Sequence, residues 1–169
     1  MAIAELLLPE FDDEMAATRR VLERVPEGKT TWKPHPKSMT LGRLATLVAE
    51  LPGWAVNVLT RDELDIAPPG GPPPKFEALE GTARILALFD KNAAAARAAL
   101  ATAPDAEFKR PWAFKVGGRT VTTNPKFTVY RRTVVNHLVH HRAQLTVYLR
   151  LNGVPVPAVY GPTADEPNF

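Results

Sequence analysis

The chain has 169 residues, 45% hydrophobic and 23% charged, with no cysteine and a formal net charge of +3. That size and make-up suit a single globular domain over residues 1–169, and the lack of cysteine excludes disulfides, thiolate metal ligands and a cysteine nucleophile. The charge is too mild to point to nucleic acid, no apolar run approaches the roughly 20 residues of a membrane span, and the Ile3 to Leu8 run lacks the basic start of a signal peptide, so a cytoplasmic protein is expected.

A first helix is predicted from Pro9, a favourable first-turn position, to about Val25, with Phe11, Met15, Thr18, Leu22 and Val25 as its inward stripe. A loop carrying Trp32, Pro34, His35 and Pro36 follows, and His35 is expected to order it. Ser38 or Thr40 then caps a second helix from Leu41 to about Thr60. Its inner seam is Leu41, Leu44, Val48, Leu51, Ala55 and Val58, and Pro52-Gly53 predicts a kink. The run Ala67 to Pro74 is too rich in proline for helix or central strand and reads as a long connection that can span a bundle. A third helix is predicted from about Gly81 to Ala101, where the Ala93 to Ala96 run suits close backbone packing. Trp112 to Val116 and Arg119 to Thr123 flank Gly117-Gly118, which can supply the positive φ of a tight hairpin turn. Asn124-Pro125 opens a last long helix that ends before Asn152-Gly153. Beyond it, Val154 to Glu166 is an extended tail expected to lie against the helices, since Val154, Val156, Val159 and Tyr160 would otherwise be exposed. Arg131, Arg132, Arg142 and Arg150, scattered around the last helix, read as solvated surface.

The most informative stretch is Asn136 to Tyr148. Residues four apart in a helix differ by about 40° around the axis and lie about 6 Å apart along it, so His137 and His141 can aim their rings at one ion. Val134, His137, His141, Leu145 and Tyr148 follow at intervals of three or four, so the histidines stand where leucines ordinarily go. Imidazoles in such places need partners, at roughly 1–3 kcal/mol each if they have none. A divalent metal is one partner, and neighbouring side chains or carbonyls are the other. His140 falls on the flank of the stripe, a surface or supporting group rather than a ligand.

The wording of the chain extends this reading. The strings from Trp32 to Gly42 and from Ala49 to Trp54, the Asn136-His137 and His140-His141-Arg142 pairings, and Val156 to Pro162 with Ala164-Asp165-Glu166 together resemble the DinB family, in order along essentially the whole chain. The resemblance implies an all-α, up-down-down-up four-helix bundle, usually dimeric, whose central pocket holds a divalent metal on three histidines, one from the second helix and two from the last. It also implies kinship with transferases and isomerases that use low-molecular-weight thiols. His137 and His141 match the pair on the last helix, but the usual second-helix histidine is replaced by Leu47, which cannot coordinate. Glu50 is the candidate third ligand, or else a surface group or a partner of a histidine ring. Trp54 and Tyr148 are candidates for an aromatic pocket wall, with ordinary core packing the commoner role for either alone, and Gln144 and Asn136 either orient the histidines or face solvent or a neighbour.

Two functions are therefore expected to compete. In one the protein is a metal-dependent transferase or hydrolase-like enzyme with a zinc or nickel site weakened by Leu47. In the other it is a non-catalytic homodimeric bundle whose old metal pocket takes a small apolar ligand. The dimer is expected because Val135, Leu138, Val139 and Leu149 lie away from the histidine stripe. No nucleic-acid or membrane partner is expected.

Overall fold

The computed structural model describes residues 1–167. Helix α1 (Ile3–Leu22) begins well before Pro9. The Glu5 carboxylate accepts from the Ala2 N–H at 2.9 Å and Asp105 accepts from the Ile3 N–H at 2.7 Å, so amides that would otherwise be orphaned at the helix start are satisfied. Pro9 then sits inside α1 on an exposed position, where the carbonyl it leaves open can meet water.

Helix α2 (Leu41–Thr60) starts where expected, with Thr40 Oγ1 accepting from the Arg43 N–H at 3.2 Å. It runs unbroken through Pro52-Gly53. Asn92 of α3 (Thr82–Thr102) donates to the Ala49 carbonyl at 2.9 Å, beside the carbonyl that Pro52 cannot serve. A Cβ at position 53 would approach the Asn92 side chain to 3.0 Å, so the glycine makes room for that bond.

The expectation of an all-α chain with a lone hairpin is corrected here. Strand β1 (Glu63–Asp65) follows α2, and after α3 and the short helix α4 (Asp105–Lys109) come β2 (Pro111–Val116) and β3 (Arg119–Pro125). The hairpin forms as expected, with Gly117 and Gly118 at φ 61° and 79°. It is joined by β1, parallel to β2, in a three-stranded mixed sheet of order β1-β2-β3. The clasp is Asp65, whose carboxylate accepts from the amides of Ala67 at 3.0 Å, Gly117 at 3.2 Å and Gly118 at 2.7 Å. At the other end of the connection the Leu79 N–H donates to Thr46 Oγ1 at 2.9 Å.

The last helical run is also less uniform than expected. It opens at Lys126 as α5 (Lys126–Val129), passes through a π-helical segment (Tyr130–Val135) and continues as α6 (Asn136–Leu151). Lys126 is fully buried against the carboxylates of Glu107 and Asp62, which ties the helix start to α4 and the sheet.

α2 packs on α3 and α6, and α1 packs on the same two helices. The core between them is built from Phe11, Leu22, Leu41, Leu44, Val48, Ile85, Phe89, Leu138 and Leu145. Val135, Leu138 and Leu149, expected to be surplus apolar surface, are buried within this core. Arg142 is not solvated either; it is 2% exposed and ion-paired to Glu14 at 2.7 Å. The tail lies against the helices: Val156 is buried, and Asp165 and Glu166 accept from the amides of Val156 and Ala158 at 2.8 and 2.9 Å. Tyr160 keeps a largely exposed ring, but its hydroxyl donates to Glu14 and accepts from Arg142, both at 2.6 Å. Among the described residues no helix is long and apolar enough to cross a membrane.

Candidate functional site

α2 and α6 face each other across a cavity of ≈ 810 Å³, lined on α2 by Arg43, Leu47, Glu50 and Trp54 and on α6 by His137 and His141. The two imidazoles converge: Nε2 of His137 lies 2.9 Å from Nε2 of His141, with ring centroids 4.6 Å apart. Gln144, one turn along α6, accepts from Nδ1 of His141 at 2.7 Å, which leaves the Nε2 lone pair of His141 pointing at its partner. The Thr133 backbone also hydrogen-bonds the His137 ring. At 2.9 Å the two Nε2 atoms are within hydrogen-bond distance, one ring donating to the other, and a cation bound by both rings would take the place of that proton.

Both rings are held neutral in neutral solution. Burial pushes the pKa of His137 below the ordinary histidine value, as does the charge of His141, while the bond to Thr133 opposes the shift. Burial likewise lowers His141, opposed by the Gln144 hydrogen bond and reinforced by the charges of His140 and Arg43.

Leu47 is 8% exposed and lines the same cavity as the histidines. Glu50 also lines it, but its carboxylate is held at 3.0 Å by Arg43, whose guanidinium lies 5.6 Å from the Phe76 ring centroid. Trp54 stands edge-on to His137 at 5.6 Å. Tyr148 does not join it; its ring meets Trp32 at 5.5 Å and its hydroxyl donates to the Met39 carbonyl. Asn136 is exposed, as is His140, whose ring packs 4.9 Å from His141. His35 accepts from the Lys37 N–H at 3.2 Å and orders its own loop.

These groups fit a divalent ion in part. No cluster of three or more histidine or carboxylate ligands occurs among the described residues, so water or a bound ligand would have to complete the coordination sphere.

Sequence reasoning missed Arg43 and Asn92. Arg43 and Glu50 are seven apart on α2, two helical turns, so the ion pair had a readable signal. Phe76, in the connection before α3, lines the cavity with no local signal at all.

A helical core carrying a small sheet, with a paired-histidine cavity between its second and last long helices, defines the class of protein. The model of the DinB family matches residues 3–168, and the chain belongs to that family. A DinB-like protein from Bacillus cereus has the same fold with a TM-score of 0.70 at 23% identity, covering 94% of this chain and 98% of its own. A second, from Bacillus subtilis, has a TM-score of 0.69 at 17% identity, covering 91% and 96%. No curated protein matches the chain.

Proposed function

We propose that this DinB-family protein, with its long helices in up-down-down-up order, is a cytoplasmic homodimer. In this reading it holds a divalent metal weakly on Nε2 of His137 and His141 and is descended from thiol-using transferases. The observation that carries the reading is the approach of the two Nε2 atoms to 2.9 Å with Gln144 fixing one ring. Imidazole ligands suit both zinc and nickel. When bound, the ion would lower the pKa of a coordinated low-molecular-weight thiol and so raise its thiolate fraction. This chain's own residues do the rest: Gln144 holds the His141 ring, Trp54 buttresses His137, and Leu47 narrows the cavity from the α2 side.

A second reading is favoured by one observation. Arg43 places a guanidinium on the cavity and claims Glu50, which opposes cation binding and leaves an apolar α2 wall around Leu47. Here the protein is a non-catalytic bundle that binds a small ligand. Metal analysis of untagged protein, with nickel and zinc titrations, separates the two. Stoichiometric metal that is lost in His137→Ala and His141→Ala supports the first. Metal-free protein whose melting temperature ignores both ions overturns it.

A further inference from the structure

Beside the histidine cavity lies a second one of ≈ 510 Å³, sharing Trp54, Phe76 and His137 with the first. Its volume falls within the range of small-molecule sites, about 300–1,000 Å³. The far wall is Trp112 and Phe114 of β2, whose rings stack 6.5 Å apart with planes only 14° from parallel. A further aromatic ring placed offset-stacked or edge-on to such a pair gains attraction beyond its area burial.

Charge settles the rest of the occupant. Arg132, in the π-helical segment, is the one residue with a formal charge that lines the cavity, and no carboxylate does. Its neighbour Arg131 is paired with Glu10; Arg132 has no ionic partner among the described residues. A guanidinium on a mostly apolar cavity is suited to a carboxylate, which it can grip with two parallel hydrogen bonds.

We propose that this second cavity binds an aromatic carboxylate, its ring against Trp112 and Phe114 and its acid group on Arg132. The ligand would sit against the wall shared with the histidine cavity, where a second reactant or an inhibitor could reach whatever that cavity holds. The proposal stands apart from the metal reading, because Trp112, Phe114 and Arg132 do not line the first cavity.

The test uses naphthoate and its neutral analogue naphthalenemethanol, titrated into the EDTA-treated full chain by calorimetry. Naphthoate should bind more tightly than the alcohol. Arg132→Gln, at an exposed position, should weaken naphthoate about tenfold or more and leave the alcohol unchanged. Phe114→Ala should weaken both ligands, and His141→Ala, in the first cavity alone, should weaken neither. Equal affinity for the two ligands, loss of naphthoate in His141→Ala but not in Arg132→Gln, or no binding at millimolar concentration would each overturn the proposal. Nickel titrations of the same variants report on the histidine pair separately.

Discussion

Three side chains spaced along α2 set the character of the histidine cavity: Arg43 brings positive charge, Leu47 an apolar wall, and Glu50 a carboxylate already engaged. Leu47→His should place a third imidazole on the cavity and raise nickel or zinc affinity by more than about tenfold. Without metal it should destabilise the fold by roughly 1–3 kcal/mol, from lost apolar burial and an unsatisfied ring. Metal should therefore raise the melting temperature of the variant far more than that of the parent; equal responses would sink the idea. The histidines also predict a pH dependence. Their folded-state pKa values lie below the unfolded value, so as the pH falls below about 6.5 the unfolded chain takes up protons first and stability drops. In metal-free protein, urea midpoints measured from pH 7.5 to 5 should decline. The decline should shrink in the His137→Gln/His141→Gln double variant.

Individual elements show where local rules give way to contacts made far along the chain. Gly42 is in the first turn of α2, where alanine should gain about 1 kcal/mol of helix propensity. Yet its amide donates to the Thr30 carbonyl at 3.0 Å, and a Cβ there would meet Thr30 Cβ at 2.9 Å and that carbonyl at 3.0 Å. Gly42→Ala should thus destabilise by about 1–3 kcal/mol, read from chemical denaturation; a stabilised variant would mean that the loop yields freely. The same contrast explains what the sequence made legible. α2, α3, the hairpin and the His137–His141 pair followed from spacing, caps and paired glycines, all of them local. The start of α1 did not, because Asp105 supplies part of its cap. β1 did not, because three residues with acidic ends carry no strand signal and gain their place from β2 and the Asp65 clasp. The π segment has neither proline nor glycine to announce it, and its residues Arg132 and Thr133 line the second cavity.

For the molecule as a whole, Arg142, Glu14 and Tyr160 join α6, α1 and the tail through a largely buried ion pair. Arg142→Ala should cost about 3–5 kcal/mol, since it strands a buried carboxylate. Glu14→Leu combined with Arg142→Leu should cost much less than the sum of the single changes, as a double-mutant cycle would read. On the outer side of α6, Val147 and Leu151 are 56% and 59% exposed and lie four residues apart. If they bury each other's copies across a two-fold axis, light scattering should give twice the chain mass and Val147→Glu should halve it; a parent protein of single-chain mass at high concentration would rule the dimer out.

The connection between α2 and α3 is pinned by Asp65 at one end and by Thr46 at the other, and Phe76, between the pins, borders both cavities. The amides of Gly117, Gly118 and Leu79 thus become built-in timers. Each can trade its hydrogen for solvent deuterium only when its own pin lets go. Their exchange rates report separately how often the two ends of the span come loose, and a molecule lodged beneath it would slow those clocks without touching either pin.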